Sequence, residues 1–274
     1  MTMHPAYPLG TPCWVETFQT DPRAAIEFYG PLFGWQFSET EPIAGGLEGE
    51  YFAARLDGCN VAGIATLPAN GPPVSVWSTA IRVSNADRMS ELVTTIGGAL
   101  LLGPLTHPRR GRWAVLGDRA SAAVGVWESG DGGGAELVNL PRTWTMSTLH
   151  TPDLADAATF YGAAFGWETE PIAPGSALTL CRLPGYVGGE PDQPMPRDVV
   201  AIMAATANEP GGPAVPPHWN VNFAVDDADV IAASAVDLGG NILLGPIDTP
   251  GFRSAVLIDP QGAAFSVSQP VPRT

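Results

Sequence analysis

The sequence predicts an α+β protein with two similar halves, each built from two units in which one strand and one helix precede further strands. The first observation is a repeated octet, which is FYGPLFGW at residues 28–35 and FYGAAFGW at 160–167. The second is a longer repeat, in which WSTAIRVSNADRMSELVTTIGGALLLGP (77–104) aligns with WNVNFAVDDADVIAASAVDLGGNILLGP (219–246). Each repeat occurs once per half, so the chain is predicted to contain four units.

The octets mark the end of the first helix in each half. Asp21, followed by proline, predicts the N-cap of this helix in the first half. Thr151 and Asp153 are alternative caps in the second half, where a proline lies between them. Gly34 and Gly166 fit the left-handed residue that ends such a helix.

The units are expected to pair within each half. Short strands around an aspartate turn follow the longer repeat, at 112–128 and at 253–269. A single βαβββ unit is small and leaves open sheet edges, so two units should form one curved sheet around a cleft. The glycine-rich stretch 129–137 is expected to be a linker, which predicts domains at 1–135 and 136–274.

Charge excludes several functions. The net charge is −15 and all thirteen basic residues are arginine, so a basic surface for nucleic acid is not expected. The one locally basic stretch, HPRRGR at 107–112, is predicted to be a solvated loop. The absence of lysine excludes a lysine Schiff base and a phosphate-binding P-loop lysine.

Cysteine usage and hydropathy predict a cytoplasmic protein without a membrane partner. Cys13, Cys59 and Cys181 form an odd set without CxxC spacing, which favours a reducing compartment. The chain has no apolar run of membrane-spanning length, and its first residues lack the pattern of a secretory signal.

Four motifs resemble one known superfamily. GTPCWVETFQTD, FYGPLFGW, GG…LLGP and IDPQGAAFSV together cover most of the chain. They are similar to motifs of the vicinal oxygen chelate superfamily, which includes glyoxalase I, bleomycin-resistance proteins and extradiol dioxygenases. Within it, the chain resembles a tandem-domain actinobacterial subgroup that includes a mycobacterial antigen and proteins described as hydroxylases. The resemblance implies two tandem glyoxalase-like domains.

Strand alternation selects the side chains that face the clefts, because successive residues of a strand point to opposite faces of the sheet. The predicted ligand-binding residues are Trp14, Glu16, Ser78, Arg82 and Trp127 in the first half, and Thr148, His150, His218, Asn220, Asn222 and Ser266 in the second. Trp77 and Trp219 occupy equivalent places in the two halves and are expected to be structural.

The resemblance also implies metal-ligand positions, and the residues at these positions lead us to expect no metal cofactor. Tryptophan, glycine and methionine are unsuited to bind a hard cation. The one alternative is a metal between His150 and His218, which otherwise are hydrogen-bonded histidines at strand ends. The implied ligand positions fall on Trp14, Ser78 and Gly125 in the first half, and on Met146, Asn220 and Ser266 in the second.

Two classes of function remain open. The first is a metal-independent protein that binds a small organic molecule in its clefts, and four units in one chain then favour a monomer or a weak homodimer. The second is an enzyme of the same superfamily, a hydroxylase, lyase or isomerase that acts on a small oxygenated or polyketide-like metabolite. Glu16 is the candidate general base of such an enzyme, and its alternatives are an exposed acid or a simple hydrogen bond to the ligand.

Overall fold

Four units follow one another along the chain, as predicted. The structure, a computed structural model, describes residues 7–69, 74–107, 110–129, 133–188, 196–206 and 215–271. The first two units consist of β1 (Pro12–Gln19), α1 (Pro22–Phe33), β2 (Gln36–Phe37), β3 (Glu41–Pro42), a 3-10 turn (Ala44–Gly46), β4 (Glu50–Leu56), β5 (Cys59–Thr66), β6 (Val76–Arg82), α2 (Ala86–Thr95), β7 (Ala99–His107), β8 (Gly111–Gly117) and β9 (Ala123–Glu128). The other two consist of β10 (Trp144–Thr151), α3 (Leu154–Phe165), β11 (Glu168–Pro171), β12 (Leu178–Arg182), β13 (Val199–Ala205), β14 (His218–Ala224), α4 (Ala228–Asp237), β15 (Asn241–Thr249), β16 (Phe252–Ile258) and β17 (Ala264–Pro270).

Each half forms one mixed sheet from its two units. The first sheet has the order β2-β4-β5-β1-β6-β9-β8-β7, with β3 paired to β4, and the second has the order β11-β12-β13-β10-β14-β17-β16-β15. The two units of a half meet at an antiparallel pair, β1 with β6 and β10 with β14. Both sheets are curved and open, which confirms the predicted α+β class with two tandem glyoxalase-like domains. The domain boundary at residue 135 stays a prediction.

The helix ends follow the sequence signals. The Oδ1 atom of Asp21 accepts hydrogen bonds from the backbone N–H groups of Arg23 and Ala24, at 3.0 and 3.1 Å. Asp153, rather than Thr151, caps α3 in the same way. Gly34 and Gly166 end these helices with φ values of 67° and 75°, a conformation that favours glycine because it has no Cβ atom.

The helices of each half pack into cores shared with the other half. Phe33 of α1 lies 5.0 Å, between ring centroids, from Phe223 of β14. Phe160 of α3 belongs to a cluster that includes Leu116 of β8 and Val126 of β9. The helix-bearing faces of the two sheets therefore bury each other's apolar side chains, and β1 directs its other face into a cleft.

A buried hydrogen-bond network joins α1 to the second half. One carboxylate oxygen of Asp259 accepts hydrogen bonds from the Tyr29 hydroxyl at 2.9 Å and from the Gln19 amide at 2.7 Å. The Tyr29 hydroxyl in turn accepts the indole N–H of Trp77. These four side chains are almost completely buried, so the network satisfies polar groups that water cannot reach.

The equivalent network joins α3 to the first half. The Tyr161 hydroxyl donates to Asp118 at 3.1 Å and accepts the indole N–H of Trp219 at 3.0 Å. Asp118 also accepts two backbone N–H groups of its own turn. Trp77 and Trp219 thus have the structural role predicted for them, and the aspartate turns of the closing strands complete both networks.

The stretch expected to be a linker packs partly into the core. Residues 130–132 lie outside the described residues. Ala135 and Leu137 are buried, and the N–H of Ala135 donates to the carbonyl of Cys13 at 2.8 Å. The apolar side chains of Ala135 and Leu137 thus pack beside β1, and the role of this stretch as a linker between two domains stays a prediction.

The helices are short. The longest in the part of the chain that the structure describes, α1 and α3, contain twelve residues each. No helix in these ranges is long and apolar enough to cross a membrane. The cytoplasmic location and the oligomeric state stay predictions.

We expect the substitution Asp259→Ala to lower the free energy of unfolding by about 3 kcal/mol, because it leaves the buried Tyr29 hydroxyl and Gln19 amide without this acceptor. Urea denaturation followed by circular dichroism measures the change. Asp237→Ala, at the exposed end of α4, is the control and should change stability by less than about 0.5 kcal/mol. Equal stability of the two variants would contradict this role of Asp259.

Candidate functional site

A cavity opens on the cleft face of the first sheet, and the space between its walls and out to its open side is about 560 Å³. Five aromatic side chains lie in its wall, and three further side chains bring a carboxyl, an imidazole and a guanidinium group to it. The aromatic residues are Trp14, Phe18, Tyr51, Trp113 and Trp127, and the others are Glu16, His107 and Arg110.

The pleat of β1 and small neighbouring residues create the space. Trp14, Glu16 and Phe18 alternate along β1 and all line the cavity. Trp14 pairs with Ala80 of β6, and Ala80 pairs with Gly125 of β9. A Cβ atom at Gly125 would lie 3.2 Å from the Cβ atom of Ala80, so these small residues leave room for rings at the level of Trp14.

The aromatic rings contact one another in pairs. The ring centroids of Trp14 and Trp127 lie 6.2 Å apart in an edge-on arrangement. Those of Phe18 and Trp113 lie 5.7 Å apart. The indole N–H of Trp127 donates to the carbonyl of Arg110, which holds the orientation of this ring. Edge-on and tilted pairs of this kind stabilise an aromatic wall by about 1 kcal/mol each.

Glu16 is a buried carboxyl group in this wall. Glu16 is 8% exposed to solvent, and no hydrogen-bond donor among the described residues reaches its carboxylate. Burial raises the pKa of Glu16 to about 7, and the positive charge of Arg110 limits the rise. A carboxyl group with this pKa can accept or release a proton near neutral pH.

Arg110 closes one side of the cavity. Its guanidinium group lies 4.4 Å from the centroid of the Tyr51 ring and donates to both carboxylate oxygens of Glu41, at 3.3 and 3.4 Å. His107 lies nearby, with Nε2 3.2 Å from the carbonyl oxygen of Pro42. The prediction of a solvated loop at 107–112 is therefore wrong for Arg110, since its ion pair and ring contact hold it at the cavity; residues 108–109 lie outside the described residues.

Gly63 allows Tyr51 to reach the cavity. A Cβ atom at this position of β5 would lie 2.3 Å from the Tyr51 hydroxyl oxygen and 3.1 Å from the Cβ atom of Glu16. The tyrosine hydroxyl therefore occupies the space that any larger residue would fill. Burial, followed by the charge of Glu16, raises the pKa of Tyr51, so this hydroxyl stays protonated at neutral pH.

Not all residues predicted in the first half lie on this cavity. Trp14, Glu16 and Trp127 do, whereas Ser78 and Arg82 do not. Ser78 is buried opposite Glu16 in the β1–β6 ladder. Arg82 donates to the carbonyl of Tyr7 at 2.8 Å and so ties the start of the described chain to the sheet. Ligand binding by these five residues stays a prediction.

The polar residues predicted in the second half contact one another. The Ser266 hydroxyl donates to the side-chain oxygen of Asn220 at 2.7 Å. The side-chain N–H of Asn222 donates to Ser268 at 2.8 Å, while its oxygen is buried without a partner among the described residues. Thr148 stands opposite Asn220 in the ladder. Hydrogen bonds within the cleft therefore account for part of this polar set, and its role in binding stays a prediction.

The two predicted histidines stack. His150 and His218 are paired across β10 and β14, with ring centroids 4.7 Å apart and an interplanar angle of 5°. Burial, and secondarily the charge of a protonated His218, lowers the pKa of His150 to about 4. The Nδ1 atom of His218 lies 2.9 Å from the carbonyl oxygen of Pro216. At neutral pH His150 is therefore uncharged.

The two clefts differ at equivalent positions of the ladders. The strand registers of the halves match, so each cavity residue has a counterpart. Aromatic rings in the first half correspond to smaller or polar side chains in the second. The carboxyl group of Glu16 has no acidic counterpart there. The pairs are Trp14 and Met146, Glu16 and Thr148, Trp113 and Ser254, and Trp127 and Ser268.

Tyr51, Trp113 and Arg110 are among the residues of the cavity wall that sequence reasoning missed. Tyr51 lies on β4, whose pairing with β5 brings it opposite Ala65. Trp113 lies opposite Trp127 in the β8–β9 ladder. Alternation along β8 could have indicated Trp113 once β8 was placed beside β9. No local pattern indicates Arg110, which depends on a contact between distant loops.

Solved structures identify the fold. A Mn(II)-bound glyoxalase of Novosphingobium aromaticivorans superposes with a TM-score of 0.61 at 16% identity, over 95% of this chain and 82% of that chain. Homoprotocatechuate 2,3-dioxygenase of Arthrobacter globiformis gives a TM-score of 0.61 at 12% identity, over 97% and 82%. The two open sheets built from four units thus have the vicinal oxygen chelate fold shared by glyoxalases and dioxygenases.

Sequence relatives extend the similarity to a family. A family model described as "Glyoxalase-like domain" matches residues 146–268. A protein of Mycobacterium tuberculosis named "Putative glyoxylase CFP32" is 38% identical over 275 residues, which cover 97% of both chains. The "Anthracycline biosynthesis protein DnrV" of Streptomyces peucetius is 34% identical over 94% of this chain and 92% of its own. The chain belongs to the glyoxalase-like family of the vicinal oxygen chelate superfamily.

The comparisons correct the expectation of no metal cofactor. That expectation is wrong as a general statement, because a glyoxalase of the same fold is Mn(II)-bound. The side chains of this protein do not fit such an ion, because among the described residues no three His, Cys, Asp or Glu form a group that could hold a metal. Trp14, Gly125 and Met146, at the implied ligand positions, supply no suitable donor. We therefore derive no reaction step through a metal.

The raised pKa of Glu16 predicts a pH-dependent stability. The folded-state pKa of about 7 exceeds the ordinary value of 4.5, so the folded protein binds the proton more tightly than the unfolded chain does. Relative to Glu16→Gln, the free energy of unfolding of the wild type should fall by about 3 kcal/mol between about pH 4 and pH 8, and stay level above that. Urea denaturation across this pH range measures the difference.

The control for this titration is Glu27→Gln, which removes an exposed carboxylate of α1 and leaves the cavity intact. Its stability relative to the wild type should change little with pH. A constant difference between the wild type and Glu16→Gln from pH 4 to pH 8 would show that Glu16 has an ordinary pKa.

Proposed function

We propose that this protein binds a small organic molecule with a planar ring in the cavity of the first sheet. The observation that carries the proposal is the wall of five aromatic side chains around one buried carboxyl group. Aromatic walls bind planar apolar molecules through large contact areas, and a few polar groups orient the ligand. Bound ligand would also remove water from Glu16 and Arg110, which are the groups able to recognise its polar edge.

The relatives support a particular class of ligand. DnrV is named for anthracycline biosynthesis, and anthracyclines are planar, oxygenated polycyclic compounds. The cavity is open at one side, so a polycyclic molecule can enter with one edge and leave the rest at the mouth. We therefore extend the proposal to oxygenated, polyketide-like ring systems.

Trp14 provides the test of this proposal. Trp14→Ala removes one ring of the wall and should weaken the binding of a planar polycyclic quinone by at least about tenfold, because it removes a large apolar contact surface. Quenching of tryptophan fluorescence, checked by calorimetry, measures the affinity.

Met146→Ala is the matched control, because Met146 occupies the same ladder position in the second half. This substitution should leave the affinity unchanged. Binding that is lost in Met146→Ala and kept in Trp14→Ala would move the site to the second cleft and overturn the proposal.

A second candidate function is catalysis of a proton transfer, as in an isomerase or lyase. Glu16 supports it, since a carboxyl group with a pKa near 7 is half ionised at neutral pH and faces the ligand cavity. In this scheme the carboxylate removes a proton from bound substrate, while the Tyr51 hydroxyl and Arg110 stabilise negative charge that develops on a substrate oxygen.

The pH dependence of turnover tests the catalytic candidate once a substrate is found. We expect kcat/KM of the wild type to rise with pH to a plateau, with an apparent pKa near 7. In Glu16→Gln this pH dependence should be lost, and kcat/KM should fall by at least about a hundredfold. Glu27→Gln should retain both the rate and the profile. A profile that is unchanged in Glu16→Gln would assign the base to another residue.

A further inference from the structure

We propose that the molecule bound in the first cavity is an organic cation, a protonated or quaternary amine held between Glu16 and the aromatic faces of Trp14 and Trp127. The inference rests on the proposed function, because it names the class of ligand for the same cavity. Three independent observations lead to it: the unpaired carboxyl group, the two tryptophan rings that line the cavity beside it and the local charge balance.

The carboxyl group of Glu16 lacks a partner that would explain its burial. Neither a hydrogen bond nor an ion pair within the described ranges ends on it. Burying a carboxylate in this way costs stability, and buried groups of this kind are concentrated at functional sites. A cation is the partner that recovers most of the cost, because it compensates the charge as well as the lost hydrogen bonds.

Trp14 and Trp127 both line the cavity beside Glu16. Within the described chain, arginine groups lie over Phe52, Tyr51 and Phe160, and none lies over Trp14 or Trp127. Tryptophan has the strongest quadrupole of the aromatic residues and binds quaternary ammonium groups best. Two tryptophans in edge-on contact beside a carboxylate are therefore the components of an aromatic cage for an amine.

Arg110 offsets the charge of Glu16 only in part. Its guanidinium group is paired with both carboxylate oxygens of Glu41, so this pair is neutral as a unit. Its position over the Tyr51 ring also shows that a cation is accommodated at this wall. The remaining charge at the cavity belongs to Glu16, and the net charge of −15 adds a long-range attraction for cations.

The alternative is a neutral ligand whose carbonyl or hydroxyl group hydrogen-bonds to Glu16. Two probes of the same shape separate the alternatives: phenyltrimethylammonium carries a positive charge, and tert-butylbenzene has carbon in place of nitrogen. At pH 8, where Glu16 is ionised, the cation should bind at least about tenfold more tightly than the neutral probe. Quenching of tryptophan fluorescence measures both affinities.

Glu16→Gln tests the assignment of the charge. This variant keeps the size of the side chain and should abolish the preference for phenyltrimethylammonium, while tert-butylbenzene should bind as it does to the wild type. Glu27→Gln changes the net charge by the same amount at an exposed site and should keep the preference. Retention of the preference in Glu16→Gln would overturn the inference.

Binding should also be linked to protons. Cation binding favours the ionised form of Glu16, so at pH 7 it should release about half a proton, measurable by calorimetry in buffers of different ionisation enthalpy. The other titratable or charged groups near Glu16 are those of Arg110, Tyr51, His107, Cys13 and Glu41. If the cation binds without any release of protons, even though Glu16→Gln alters its affinity, direct contact with the Glu16 carboxylate is excluded.

The remaining outcomes separate this inference from the proposed function. Equal affinity for both probes, weakened equally by Trp14→Ala, would overturn the cation inference and leave the cavity as a binding site for neutral rings. Binding of neither probe would also overturn the cation inference, whereas the proposed function would still be decided by the polycyclic quinone and Trp14→Ala.

Discussion

The mutual burial of the helix-bearing faces of the two sheets is the constraint on which the rest of the structure depends. α1 packs into a core with β14 and β17, and α3 packs into a core with β8 and β9. The buried pairs Tyr29–Asp259 and Tyr161–Asp118 fix this arrangement by hydrogen bonds that water cannot replace. Because one face of each sheet is committed to the shared core, the other face is available to line a cleft.

This division of faces allows the two clefts to diverge without disturbing the fold. Residues of β1 that face the shared core, such as Val15 and Thr17, are completely buried and constrained by packing. Their neighbours Trp14 and Glu16 face the cavity, and the corresponding positions of β10 carry methionine and threonine. The repeated octets thus preserve the core, while the alternate positions of the central strands determine what each cleft can bind.

Most of the fold could be predicted because its signals are local. The cap Asp21, the left-handed Gly34 and the alternation of Trp14 with Glu16 each depend on residues a few positions apart. Tyr51 and Arg110 could not be predicted as cavity residues in this way. Tyr51 reaches the wall only because β4 is placed beside β5, and Arg110 is held by Glu41, a residue 69 positions away along the chain.

The burial of Glu16 in the cavity costs stability, and the packing of the shared core offsets this cost. Glu16 lies on β1, which is central in the sheet and hydrogen-bonded on both sides, so its backbone cannot shift to take the carboxyl group into water. Gly63 on β5 and Tyr51 above it close the remaining space on that side. A rigid strand therefore holds an unpaired carboxyl group among aromatic rings, and preorganisation of this kind lets a ligand recover the cost of desolvation when it binds.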